Sequence, residues 1–404
     1  MKQRLAAVAL GLGLGLVAAV VPAGAAPADV IRDDEWHLRY LSVAEANRHS
    51  RGEGVTVAVI DRGVDRAHAD LAGAVLDPVA VSAPAGAGPD ATPAPSGPPV
   101  AEGTGYDPDG RGTALAGIIA GQGHGAEHAD GVVGVAPGAR IQPIVLDTPP
   151  TREPSADELA AGIEAAIAHR TAVIVIGYSV AGSERLLQAV RDAQAADAII
   201  VAADGDQPGR AFDPYPAAYD GVLAAVPLGR TGEVLVSSTS GRRLGLGVPG
   251  SQIMTTNTGN RYRIDDGSAS PGILAAAVAL VRSAYPGVKA PEIVRRLRLT
   301  AADAGAAGPD AEYGLGRLDL LQALTRRLPS PSPSPSAGGS RPGVSPAATP
   351  VAAPSSPRSR GPYGWLLGLP LLAVIAGVGV YAGLAERRIR ISARNEVDSV
   401  GVQS

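Results

Sequence analysis

Five short apolar runs, 55–60, 141–146, 172–176, 199–203 and 221–226, carry no charged residue. A strand with one wet face alternates polar and apolar residues; a strand covered on both faces reads as a continuous apolar run. Helical patterns lie between several of these runs. One opens at Ser155, with Glu158 three residues on as a capping box, and continues to His169. Another covers Glu184 to Ala196. Buried strands alternating with helices predict an α/β architecture, a mostly parallel central sheet with helices on both faces. From Gly267 a long run of small apolar residues reaches Ala284 and predicts a fully buried helix. Pro291 then opens an amphipathic helix to about Leu299. The segment 77–106, rich in Pro, Ala and Gly, reads as a surface insertion.

The chain has 404 residues and a formal net charge of −4. That length buries a sizeable core, and that charge argues against a nucleic-acid partner, which needs a basic footprint. No cysteine is present, which excludes disulfides, thiol nucleophiles and thiolate metal sites. No cofactor is implied. A calcium cage needs about six to eight oxygens, and the nearest acidic pair, Asp265-Asp266, is too sparse for one.

The ends suggest a compartment. A basic start (Met1 to Arg4), an apolar run from Leu5 to Val21 and a small-residue end at Ala23-Gly24-Ala25 predict a signal peptide over 1–25. A folded domain over 26–328 follows, then a Pro/Ser/Ala-rich linker over 329–362. Residues 363–384 predict one transmembrane helix, since Trp365 to Leu384 is about 20 residues without a charge, enough to cross a bilayer. The basic tail, 385–404, is expected in the cytoplasm. The folded domain is then expected outside the cell, anchored to its membrane.

The stretch Val57-Ala58-Val59-Ile60-Asp61 puts a carboxylate at the C-terminal end of a buried strand, the edge where ligands gather in open α/β sheets. It continues into His68-Ala69-Asp70-Leu71. Gly110-Arg111-Gly112-Thr113 is a tight glycine turn running into a small-residue helix that ends near Ala120. Gly131 to Ala139 and Gly267-Ser268-Ala269-Ser270-Pro271, leading into Ala279-Leu280-Val281-Arg282, complete the set. In this order and spacing the motifs resemble the subtilisin-like serine peptidases (subtilases), from about Asp33 to Leu324. Asp34-Glu35-Trp36-His37-Leu38, together with the stalk and anchor, is closer to the mycosins, membrane-anchored subtilases associated with type VII secretion. The resemblance implies a subtilisin-like three-layer fold.

It also implies an Asp-His-Ser triad, in which histidine activates the serine and a buried aspartate orients the histidine. Asp61 matches the aspartate. The family's histidine stands in Gly-His-Gly-Thr, and here Arg111 replaces it. Arginine has five donors and no acceptor, so it cannot act as a general base. Counting back from Ala279-Leu280-Val281-Arg282 puts Ser268 on the nucleophile; Pro271 is one place early, which leaves Ser270 as a rival. The oxyanion asparagine is matched by Asp206, whose charge would repel a developing oxyanion. His68, His124, His128, His37, His49 and His169 are read as structural or surface positions. We expect Arg111 to form a fork-type ion pair with Asp61. The resulting reading is a pseudoprotease with a scaffolding role, its partners being type VII secretion membrane components or peptide segments. The alternatives are an active serine endopeptidase and a surface partner-binding module.

Overall fold

A computed structural model describes residues 30–81, 107–204, 213–235 and 245–329, all within the first of two compact units, Met1–Ser330. The five apolar runs form strands of one seven-stranded sheet: β1 (Thr56–Asp61), β5 (Arg140–Leu146), β6 (Val173–Ile176), β7 (Ile199–Ala203) and β8 (Leu223–Leu228). Two further strands, β2 (Val79–Val81) and β9 (Gly245–Pro249), close its edges. The order is β2-β5-β1-β6-β7-β8-β9, and every pairing is parallel.

The two-residue period of a strand divides its side chains between two cores. Val57, Val59, Val173, Val175 and Val201 face one core; Ala58, Ile60, Ile174, Ile176 and Ile200 face the other. The first core is filled by α4 (Arg111–Ala120) and α7 (Ser270–Ala284), the second by α5 (Ala156–Ala168) and α6 (Glu184–Ala195). The Ser155–Glu158 capping box is present at the start of α5. Helix α7 is buried from Ser270 through Val281. Three short N-terminal helices, α1 (Val30–Asp33), α2 (Trp36–Tyr40) and α3 (Val43–Ala46), precede β1, and α8 (Ala290–Thr300) and α9 (Leu320–Thr325) follow α7.

Two antiparallel hairpins lie outside the main sheet. One joins β3 (Gln122–His124) to β4 (Asp130–Val133), the other β10 (Ile253–Asn257) to β11 (Arg261–Asp265). The second grips α4: Thr255 Oγ1 donates to the Ala114 carbonyl at 2.8 Å and Thr256 Oγ1 to the Thr113 carbonyl at 2.7 Å. Trp36 Nε1 donates to the carbonyls of Ser251 and Gln252 at 3.2 and 3.1 Å, tying the N-terminal segment to the same region.

The segment expected as an insertion from residue 77 begins instead as part of the sheet, because Val79–Val81 pairs with Ile144–Leu146. The rest of it, 82–106, lies outside the described residues, as do 1–29 and 330–404 with the expected signal peptide, linker and membrane helix. Among the described residues no helix is long and apolar enough to cross a membrane.

Glycine is required where α4 meets the loop after β1. A Cβ on Gly112 would stand 2.0 Å from the Gly63 carbonyl oxygen and 3.2 Å from Asp61 Cβ. Forced contacts of this kind cost about 1–3 kcal/mol. Gly112→Ala is therefore expected to lower the unfolding free energy by at least about 1 kcal/mol in urea titrations; an unchanged midpoint would contradict the close approach.

Candidate functional site

The site forms at the carboxyl edge of the sheet, where parallel strands leave their pleat and loops can present side chains. Strand β1 delivers Asp61, which is 1% exposed. Gly110, at φ 73°, turns the chain into α4 so that Arg111 is its first residue. The two side chains meet as a fork: Arg111 Nε donates to Asp61 Oδ2 at 2.7 Å and Nη2 to Oδ1 at 3.1 Å. Asp61 Oδ1 also accepts the Arg62 amide at 2.8 Å. Both carboxylate oxygens are thus engaged by donors.

Burial disfavours the Arg111 charge, but the adjacent Asp61 carboxylate and its hydrogen bonds outweigh this and raise the pKa further above arginine's ordinary value. The guanidinium carbon also lies 4.8 Å from the centre of the Tyr178 ring, a cation–π stack. Tyr178 is fully buried, and its hydroxyl has no hydrogen-bond partner among the described residues. Burial first, and the Asp61 charge second, push the Tyr178 pKa well above that of a free phenol.

Around the fork stands a second ring of charge. Arg62 is buried and pairs with Asp109 and, at 3.6 Å, with Glu153. Arg111 Nη1 lies 3.7 Å from Glu153, and the Arg111 amide donates to Asp109 Oδ1 at 3.0 Å. Burial works to raise the Asp109 pKa, but Arg111 and Arg62 bring it below the usual carboxylate value. Asp107 holds the start of α4: it accepts from the Gly110 amide at 3.1 Å, the Thr113 amide at 2.7 Å and the Thr113 hydroxyl at 2.6 Å. Burial, then the nearby Asp61 charge, push its carboxyl up to about 7 against those donors.

Among the described residues, no hydrogen bond joins the expected serines to this cluster. Ser268 is half-buried, and its hydroxyl donates to Asp265 Oδ2 at 2.6 Å. Its rival Ser270 is 1% exposed in the first turn of α7, with its hydroxyl on the Gly267 carbonyl at 3.2 Å. Asp206 lies outside the described residues. The acidic pair is structural: Asp265 is buried, and Asp266 Oδ1 accepts from Ser251 Oγ and the Gln252 amide. His68 is also structural. It caps the short turn at Ala69–Leu71 by accepting from the Asp70 amide, and its Nε2 lies 3.0 Å from the Arg261 carbonyl oxygen. His49 and His169 are exposed. His37 is fully buried, neither ring nitrogen has a partner among the described residues, and burial followed by the Arg39 charge lowers its pKa to about 3.

Fold and motif order together define a class, and the chain belongs to it: the Subtilase family matches residues 52–316. The chain is similar to the thermostable alkaline protease of Halalkalibacterium halodurans, 33% identical over 271 residues that cover 66% of this chain and 67% of the relative. Among solved structures it is similar to MycP1 (TM-score 0.58, 25% identity, 73% of this chain and 98% of that one). It is also similar to the MycP3 protease from the type VII (ESX-3) secretion system (TM-score 0.58, 26% identity, 76% and 90%).

Sequence reasoning found Asp61 and Arg111 but missed Arg62, Asp107, Asp109, Glu153 and Tyr178. Asp107 and Asp109 carried a signal, two carboxylates just before a helix N-terminus. Glu153 and Tyr178 carried none, because only the fold brings their loops beside Arg111.

The buried pair and the raised carboxyl can each be tested. Removing one partner of a buried ion pair costs about 3–5 kcal/mol, so Arg111→Ala is expected to destabilise by that order in chemical denaturation. A second change, Asp61→Asn, is expected to recover part of the loss. The Asp107 carboxyl sits at about 7 in the folded chain against an ordinary 3.8. The folded state therefore binds the extra proton between those values, and stability from this group is lost as pH rises through about 7. Asp107→Asn is expected to flatten that part of the stability–pH curve; an unaltered slope would show that another group carries it.

Proposed function

We propose that this chain is a catalytically silent subtilase that acts by binding, as a scaffolding or stabilising component of a type VII secretion membrane complex. The observation that carries the reading is the fork between Arg111 and Asp61. In the triad the aspartate orients a base, and the base takes the serine proton. Here the aspartate's oxygens are occupied by a group that only donates. Nothing at that position accepts a proton. Replacement of the oxyanion asparagine by Asp206 adds a repulsive charge where a donor is needed. In subtilisin, losing the histidine alone costs about 10⁶ in kcat. Similarity to MycP1 and to the MycP3 protease of a type VII secretion system supports the partner class. Tethering through 363–384, with the folded domain outside, suits such a role.

One observation favours the alternative, an active serine endopeptidase. The 2.6 Å bond from Ser268 to the buried Asp265 places a carboxylate within proton-transfer reach of a serine hydroxyl. A fluorophosphonate probe separates the two readings. The wild-type chain is expected to stay unlabelled, and Arg111→His combined with Asp206→Asn is expected to gain labelling at Ser268. Wild-type labelling at Ser268 that disappears in Asp265→Asn would establish the endopeptidase instead. Co-purification with secretion-complex membrane proteins is expected for the scaffold; its absence would point to a partner outside secretion.

A further inference from the structure

The end of the domain concentrates one sign of charge. Residues 293–302 and 320–329 hold the arginines Arg295, Arg296, Arg298, Arg326 and Arg327 and no carboxylate. The first three lie on α8, which buries Ala290, Ile293, Leu297 and Thr300 at helical spacing. The last two follow α9, at the point where the chain leaves the domain. The two groups meet in space. Arg296 Nη1 donates to the carbonyls of Ala323 and Arg326 at 3.0 and 2.9 Å, and Arg326 Nη1 donates to the Leu299 carbonyl at 3.1 Å. The Arg296 guanidinium also stacks on the Tyr285 ring, its carbon 4.0 Å from the ring centre.

Those partners are neutral, so they fix the arginines in place without cancelling their charge. Arg295 is paired, with Glu292 at 2.8 Å. Arg298 and Arg327 are exposed, and neither has an ion pair or a hydrogen bond among the described residues. Beside them Leu299 leaves 46% of its surface exposed. Arg295, Arg298 and Leu299 border an open hollow in which Asp303 is the one lining carboxylate, and Asp303 is itself engaged by the Gly308 amide. Cations flanking an exposed apolar side chain suit a lipid interface, where the leucine enters the acyl boundary and the guanidiniums meet headgroup phosphates.

We propose that the face formed by α8 and the segment after α9 docks on an anionic membrane surface. The chain as a whole is negative, with a formal net charge of −4, so attraction to anionic lipid has to come from a local face. The occupant is chosen by the exposed leucine and by where the chain goes. It leaves the domain through Arg326 and Arg327 and continues to the charge-free run 363–384, so the inference rests on the membrane tether proposed above. A tether holds the domain at an effective concentration of about millimolar near the surface, so modest headgroup contacts hold it there. Each arginine near an anionic surface strengthens the contact roughly fivefold.

The chain has no cysteine, so Leu299→Cys gives a single attachment site for an environment-sensitive fluorophore. The labelled full chain is added to phosphatidylcholine vesicles, and to vesicles of phosphatidylcholine and phosphatidylglycerol in equal parts, each carrying a bilayer-borne quencher. Quenching at residue 299 is expected with phosphatidylglycerol and not without it, and high salt is expected to remove it. Arg298→Glu with Arg327→Glu is expected to lower the docking equilibrium by at least roughly 25-fold, about fivefold for each arginine lost. Arg298→Lys with Arg327→Lys is expected to preserve docking, which separates charge from any effect on folding. A label at Gln188→Cys, exposed on α6 across the sheet, is expected to stay unquenched. Flotation with phosphatidylcholine vesicles reads the tether by itself. A chain that fails to float there, yet is quenched at residue 299 with phosphatidylglycerol, keeps the docking face and loses the tether. Equal quenching with both lipids, or quenching that survives high salt or the double charge reversal, would overturn the proposal. So would the absence of quenching with phosphatidylglycerol, which would leave the arginines to an acidic protein partner.

Discussion

A carboxylate buried at the end of a strand must be compensated, and in this protein the partner is a guanidinium on the next helix. Asp61 is set by β1 and Arg111 by the first turn of α4, so the fork ties an interior strand of the sheet to a buried helix. Everything near the pair is arranged to keep it in place. Gly112 lets α4 approach the β1 loop, Asp107 holds the helix start, and Thr255 and Thr256 bind α4 carbonyls from the side. The Tyr178 ring closes the remaining face of the guanidinium.

On the proposed reading, the same geometry that stabilises the pair also leaves no titrating base at position 111. A triad works because its central group exchanges a proton at neutral pH. Arg111 holds its proton more tightly than free arginine, since the Asp61 carboxylate and its hydrogen bonds stabilise the cation. The neighbouring charges extend this: Arg62, Asp109 and Glu153 form a network in which each cation meets more than one carboxylate. Such a network presents a fixed field rather than a titrating base, which is what the proposed binding role would use.

Much of the architecture was legible in the sequence because it rests on local pattern. The five apolar runs became neighbouring or near-neighbouring strands of one sheet, and the capping box at Ser155 marked the helix start. The strands that escaped notice had weak local signals. Gly245–Pro249 holds two glycines, yet it is fully buried because the neighbouring Leu228 needs the space a side chain would fill at Gly247. Val79–Val81 is only three residues long and is ordered by its pairing with β5. At the site, Asp61 and Arg111 could be matched through motif order. Tyr178 and Glu153 could not, since their roles come from loops that follow other strands and helices. Asp70 and His124 are bonded across 54 residues, and their sequence context, an ordinary turn and an exposed hairpin, gives no hint of it.

Helix α7 has a consequence for how the molecule assembles. It is buried from Ser270 to Val281, with the sheet on one side and α4, α8 and α9 around it. A helix enclosed in this way cannot loosen without opening the layers that cover it. Its amides should then exchange with solvent only through global unfolding, whereas the half-exposed α8 can open on its own. The most protected part of the domain is thus the helix that begins two residues after Ser268, so the segment carrying that serine is held against a rigid element.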